Sequence, residues 1–238
     1  MTVIPIAQGA PLRILSLGDS ITLGYNDPTG NSYRRELQRL LWTSGNPVAM
    51  VGSVRSGDWD DNAVDAWIYH TIDDILEKSK PELTRSVKEG RPNVITLHAG
   101  TVNFVLGKNV TTAPERLGHL IDVITAHNPL ALLVVSQLLP YFHNETVDNL
   151  VKQYNRLIPS VIATRARAGR RVVLTSMDGF MADMLPDGVH PSGIGSLLMA
   201  QHFYEAIREA DKHGLLVPAD EEFEDRGESS VFLPGEGC

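Results

Sequence analysis

Three residues of this 238-residue chain are of types that together make a hydroxyl nucleophilic: Ser20, in Gly18-Asp19-Ser20, and Asp187 and His190, in Asp187-Gly188-Val189-His190-Pro191. A serine hydroxyl attacks poorly near neutral pH until an imidazole takes its proton as the new bond forms. A carboxylate fixes the tautomer of that imidazole and steadies the imidazolium that results. The two residues between Asp187 and His190 let a single turn set the carboxylate beside the ring, and Gly188 supplies the backbone freedom such a turn needs. Taken singly, each has a plainer reading. Gly-Asp-Ser is common turn and cap chemistry, Asp187 is a good turn former, and His190 precedes a proline able to start a helix. The chemistry requires the two ends of the chain to meet.

The elements between them predict that meeting. Strands are expected at 12–17, 48–51, 93–98, 130–137 and 171–175. Helices of helical apolar period are expected near 32–43, 67–78, 114–128, 147–168 and 192–210, the third opened by Pro114, whose missing N–H has no partner to lose there. Strands alternating with helices imply right-handed parallel crossovers, hence a three-layer α/β/α sandwich on a five-stranded parallel sheet in flavodoxin-like order 2-1-3-4-5. Such a sheet binds ligands beyond the carboxyl ends of its strands, where strand order reverses, here between strands one and three. Residues 18–22 follow strand one, residues 100–103 follow strand three, and residues 187–191 follow strand five. All three segments are therefore expected on one lip of the sheet.

Composition narrows the partners. With 42 % hydrophobic residues the chain can bury one core, and residues 1–217 are expected to form one domain, followed by an acidic tail at 218–238 in which Val231 and Phe232 are the apolar residues able to dock. A net charge of -8 gives no electrostatic footprint for nucleic acid or an anionic membrane surface. No apolar run approaches the roughly 18 residues of a membrane span. The opening residues have no basic start or apolar centre of the secretory kind, so the chain reads as cytoplasmic, or as secreted with its leader already removed. Asn109-Val110-Thr111 and Asn144-Glu145-Thr146 are sequons, and neither they nor the single Cys238 decides the compartment. No histidine shows metal-ligand spacing with Cys or carboxylates, so no metal is expected. His98, closing strand three, reads as a hydrogen-bonded structural residue, Asp19 as a holder of its turn, and Trp67 and Tyr141 as packing residues. The strand-to-helix Gly-x-Ser-x-Gly elbow of α/β-hydrolases does not occur.

The block Leu15-Ser16-Leu17-Gly18-Asp19-Ser20-Ile21-Thr22 resembles the first block of the SGNH (GDSL-like) hydrolases, and Asp187-x-x-His190-Pro191 resembles their last. Residues 32–37, Val51-Gly52-Ser53, Ala99-Gly100-Thr101 and Pro114-Glu115-Arg116-Leu117 are similar to the branch that contains fungal acetylxylan esterases. The resemblance spans roughly residues 12–210. It implies cleavage of an ester of a carbohydrate or small metabolite, with Ser20 as nucleophile, His190 as base, Asp187 as its orienter, and no cofactor. Oligomeric state is not implied.

Two blocks depart from the family pattern. The family's second-block Gly-Trp, whose glycine N–H holds the oxyanion, is Ala66-Trp67 here, so the N–H persists beside a methyl group. The third block, Gly-Thr-Asn-Asp in the family, is Gly100-Thr101-Val102-Asn103, with valine where the oxyanion-binding asparagine belongs. Asn103 takes that role only if the loop shifts by one residue. Loss of one such donor typically lowers the rate by about 10²–10³. The departure leaves three readings open: an ester hydrolase, an acyltransferase, lactone-forming enzyme or C–C lyase on a dedicated metabolite, and a weakened carbohydrate-binding relative.

Overall fold

At the centre of the sheet lies β1 (Leu12–Gly18), every residue of which is buried. In this computed structural model, which describes residues 5–84 and 91–218, its neighbour on one side is β5 (Val94–His98), followed by β6 (Leu132–Ser136) and β7 (Val172–Thr175), all parallel. The expected acidic tail, with Val231, Phe232 and Cys238, lies outside the described residues from 219 onward.

The other side of β1 differs from the expected single strand. β2 (Val48–Val51) pairs with the first half of β1, from Leu12↔Val48 to Leu15↔Val51, and β4 (Ala63–Ala66) pairs with its end, at Leu17↔Asp65 and Gly18↔Ala66. Between them β3 (Val54–Arg55) runs antiparallel to β4. Seven strands thus fill the expected order, with position two shared by β2 and β4 and β3 added at the edge. Gly52 permits the division, because a Cβ there would lie 2.5 Å from the Val64 backbone where the chain recrosses.

Helices cover both faces because the strands are apolar on both. Leu15, Leu17, Ile95, Leu97, Leu133 and Val135 pack against α3 (Ile72–Leu83), α5 (Ala113–His127) and α6 (Glu145–Arg167). Leu12, Ile14, Val94, Leu132 and Val134, on the opposite face by the period of two, pack against α2 (Arg34–Thr43) and α7 (Ile194–Lys212). One boundary departs clearly from the sequence expectation. α3 starts at Ile72 rather than near Trp67, because Thr71 and Asp74 form a reciprocal capping box. Two one-turn helices, α1 (Ser20–Leu23) and α4 (Thr101–Val105), follow β1 and β5 directly at the carboxyl ends of the strands.

Candidate active site

Each residue of Gly18-Asp19-Ser20 has a separate local duty. A Cβ on Gly18 would fall 2.2 Å from Thr22 Oγ1 and 2.8 Å from the His98 carbonyl oxygen, so only glycine lets β1 turn this tightly beside β5. Asp19 is the N-cap of α1 and accepts the Ile21 N–H at 3.0 Å. Ser20 is then the first helical residue, just beyond the carboxyl end of the central strand.

The Asp187–His190 turn is built on a left-handed glycine. Gly188 has φ 77°, a Cβ there would lie 2.9 Å from His143 N, and its carbonyl accepts the Phe142 N–H at 2.8 Å. The turn is thereby docked on the loop that follows β6. Asp187 Oδ1 accepts the backbone N–H groups of Val189 (3.0 Å) and His190 (2.7 Å), while Oδ2 accepts from His190 Nδ1 at 2.7 Å. His190 Nε2 lies 2.9 Å from Ser20 Oγ.

Residues 170 apart in the chain are thus joined in one hydrogen-bonded line, Ser20–His190–Asp187. Partial burial would raise the Asp187 pKa, but the His190 N–H, the Asn26 amide, the His190 ring and the Val189 N–H together hold it well below the usual carboxylate range. An ionised Asp187 assigns the imidazole proton to Nδ1, which leaves Nε2 as acceptor for the Ser20 hydroxyl. This arrangement can deprotonate a serine as it attacks a carbonyl carbon.

Asn26 escaped the sequence reading. Its Nδ2 donates to Asp187 Oδ2 at 2.5 Å, and beside it the ring of Tyr25 meets the His190 ring edge-on, with centroids 5.1 Å apart. The only sequence signal for it is a polar residue in a turn, which many other turns share.

The expected oxyanion residues fall on two elements. Ala66 closes β4 opposite Gly18, and the next residue, Trp67, donates its N–H to the Gly18 carbonyl at 3.2 Å, which ties this end of β4 close to the Gly18–Ser20 turn. Trp67 is only part-buried and lies against the His70 ring, whereas Tyr141 is buried. Gly100 caps α4 at φ 130°, where a Cβ would crowd the Tyr154 ring. Val102 and Asn103 are both buried on α4. The Asn103 amide is engaged elsewhere: Oδ1 accepts the Ile72 N–H and Nδ2 donates to the Lys108 carbonyl, each at 3.1 Å. Consecutive helical residues diverge by about 100°, so Asn103 does not share the direction of Val102. The one-residue shift considered for Asn103 is not seen.

Behind Ser20 lies a second polar pair. His98 Nδ1 is 3.9 Å from Asp19 Oδ1, and both side chains are fully buried. Contrary to the expectation of a hydrogen-bonded histidine, neither His98 nitrogen nor Asp19 Oδ2 has a hydrogen-bond partner among the described residues. The spacing suits an ion pair, but burial opposes charge on both. It pushes Asp19 up to about 7, against the Ile21 N–H, and pulls His98 down to about 4. Between about pH 4 and pH 7 both side chains are uncharged.

Among the described residues no group of three or more His, Cys, Asp or Glu could hold a metal ion, and no helix is long and apolar enough to cross a membrane. Comparison with known proteins agrees with this architecture. The chain aligns over 86 % of its length, and 99 % of the other's, with a family 3 carbohydrate esterase from Clostridium thermocellum, at 28 % identity and a TM-score of 0.74. A family 3 carbohydrate esterase from Talaromyces cellulolyticus shares the fold at 22 % identity and a TM-score of 0.69, over 85 % and 99 % of the two chains. A protein of Acetivibrio thermocellus described as "Putative endoglucanase X" is 30 % identical over 118 residues, a match that spans 48 % of this chain and about half (49 %) of that protein. The sequence profile of the GDSL-like lipase/acylhydrolases matches residues 16–197, from β1 to the first turn of α7. The chain belongs to the GDSL-like lipase/acylhydrolase family.

Proposed function

We propose that this chain hydrolyses small acyl esters, acetyl esters of carbohydrate foremost, through a covalent acyl-enzyme on Ser20. The observation that carries this reading is the line of hydrogen bonds from Ser20 Oγ through the His190 ring to Asp187, at 2.9 and 2.7 Å. Ser20 Oγ bonds to the ester carbonyl carbon as its proton passes to His190 Nε2. The tetrahedral oxyanion is held by the backbone N–H groups of Ser20 and Ala66. Its collapse breaks the bond to the leaving alkoxide, which takes the proton back from His190. Water, deprotonated by the same nitrogen, then attacks the acyl-serine, and the acid leaves as Ser20 Oγ takes that proton back from His190. Asp187 stays ionised throughout and holds the ring by Nδ1.

The preference for acetylated carbohydrate is supported by the 28 %-identical carbohydrate esterase and by the acetylxylan-esterase-like blocks of the sequence. A second reading, transfer of the acyl group to an alcohol, is favoured by one observation: valine occupies the third-block donor position and the Asn103 amide is engaged with backbone. A hole lacking one donor lowers turnover of a simple ester by about 10²–10³. It suits a substrate that carries its own donor.

The test is turnover of an aryl acetate and release of acetate from acetylated xylo-oligosaccharide, by the parent and by Ser20→Ala. Activity in the parent and none in the variant is expected. Equal turnover by the two removes Ser20 as nucleophile. An acyl-enzyme that partitions to added alcohol in preference to water would replace hydrolysis by transfer.

A further inference from the structure

The Asp187 carboxylate accepts four hydrogen bonds, three of them from residues 189 and 190 of its own turn. The fourth comes from Asn26, 161 residues away, on the segment that leaves the nucleophile's helix. Asn26 is exposed and held at φ 61°, left-handed backbone that Asn tolerates better than most residues. From that position its amide reaches Oδ2, the oxygen that also accepts from the His190 ring.

An exposed amide fixes a carboxylate only if its own backbone is held, and here it is held from several directions. Tyr25 N donates to the Ser20 carbonyl and Asp27 N to that of Gly24, at 3.0 and 3.1 Å. The Asp27 carboxylate takes the Thr29 N–H and hydroxyl on one oxygen and the Ser32 N–H on the other. Arg34, fully buried, donates to the carbonyls of Thr22, Leu23 and Gly30 within this segment and to those of Ser56 and Asn62 beside β3 and β4. One guanidinium thus pins the loop that carries Ser20 and Asn26 to the connection between β3 and β4.

We infer that Asn26 is a positioning residue of the hydrolytic reaction: it sets the Asp187 carboxylate, and through it the His190 ring, against Ser20. The inference rests on the triad reading proposed above. Without this bond, the 187–190 turn is tied to the nucleophile's loop by the His190–Ser20 hydrogen bond and the Tyr25 edge contact. Since the reacting serine must release the first of these during catalysis, Asn26 keeps the two segments in register while the proton moves.

Besides the backbone N–H groups of Val189 and His190, the His190 ring and Asn26 bond to the carboxylate, and the Tyr141 hydroxyl feels it, its pKa raised first by burial and then by the Asp187 charge. Asn26→Gly removes the side chain while accepting the left-handed backbone without strain. Asn26→Asp keeps the shape but replaces the amide donor by a second carboxyl group set against Asp187, where like charges oppose each other.

The experiment measures kcat, KM and the pH profile of aryl acetate hydrolysis for the parent, these two variants and Ser20→Ala, with thermal unfolding of each. For Asn26→Gly the expected result is a kcat lowered about tenfold with KM within about twofold and an unchanged Tm, the cost of a misaligned base rather than of lost binding. For Asn26→Asp the expected loss of kcat is larger. The positioning role is overturned if Asn26→Gly keeps kcat within twofold of the parent while Ser20→Ala is inactive, or if its loss appears only in KM or only in step with Tm. Parent-level activity of Ser20→Ala instead overturns the triad reading itself, so the two failures are distinguishable.

Discussion

Asp19 and His98 carry a pH signature that cancels in the parent and emerges when Asp19 is replaced. Burial raises the Asp19 carboxyl from 3.8 to about 7 and lowers the His98 imidazole from 6.5 to about 4. Between those limits the unfolded chain holds one proton on this pair, on the histidine, and the folded chain holds one, on the aspartate. Equal proton counts mean that the pair adds no slope to stability with pH in that window. In Asp19→Asn the amide oxygen still caps α1, so the cap is kept while the titration is lost. His98 then stands alone, and the stability it contributes is complete above pH 6.5 and falls away as pH drops through about 4. The difference between variant and parent isolates Asp19. Its raised pKa gives stability that is complete below 3.8 and lost as pH rises through about 7. Each pH unit of that displacement is worth roughly 1.4 kcal/mol, so across about three pH units the variant gains about 4 kcal/mol on the parent. Urea denaturation of both proteins at steps from pH 4 to 8 measures the difference directly, because all shared groups cancel. A flat difference, or one that favours the parent as pH rises, would mean that Asp19 is ionised in the fold and would refute the reasoning.

Two further outcomes follow from the same geometry. Val102→Asn restores the third-block donor and is expected to raise kcat for an aryl acetate by about 10- to 100-fold with little change in KM; a folded variant without gain would remove residue 102 from the oxyanion corner. Arg34→Lys keeps the charge but replaces a fork that serves five carbonyls by a single ammonium, and is expected to lower unfolding free energy by about 2–4 kcal/mol in urea titrations. A loss below about 0.5 kcal/mol would show that this clamp does not hold the loop.

Much of the framework is legible in the sequence because its signals are periodic. β1, β5 and β6 are short apolar runs buried on both faces, and the helices between them repeat apolar residues at the spacing of one stripe. β4 is hidden for a local reason. Ala63–Ala66 contains Asp65, a buried carboxylate whose Oδ1 accepts the Ser53 N–H and hydroxyl, and nothing in a four-residue stretch with a central Asp advertises a strand. Ser20, Asp187 and His190 stand out by type and by the turn between the last two. Asn26 does not, since its meaning lies in a partner 161 positions away. Asn103 misleads for the opposite reason: it is a polar residue of the right type one position from the expected place, and one step along a helix turns a side chain by about 100°.

The account depends most directly on an acyl group residing on Ser20. Mixing the protein with excess aryl acetate, quenching in acid during the steady state and measuring intact mass, followed by peptide mapping, tests this claim. The predicted result is a mass increment of one acetyl group on the peptide that contains Ser20, absent from Ser20→Ala. Acetyl found on another residue, or ester turnover by Ser20→Ala at the parent rate, would contradict it.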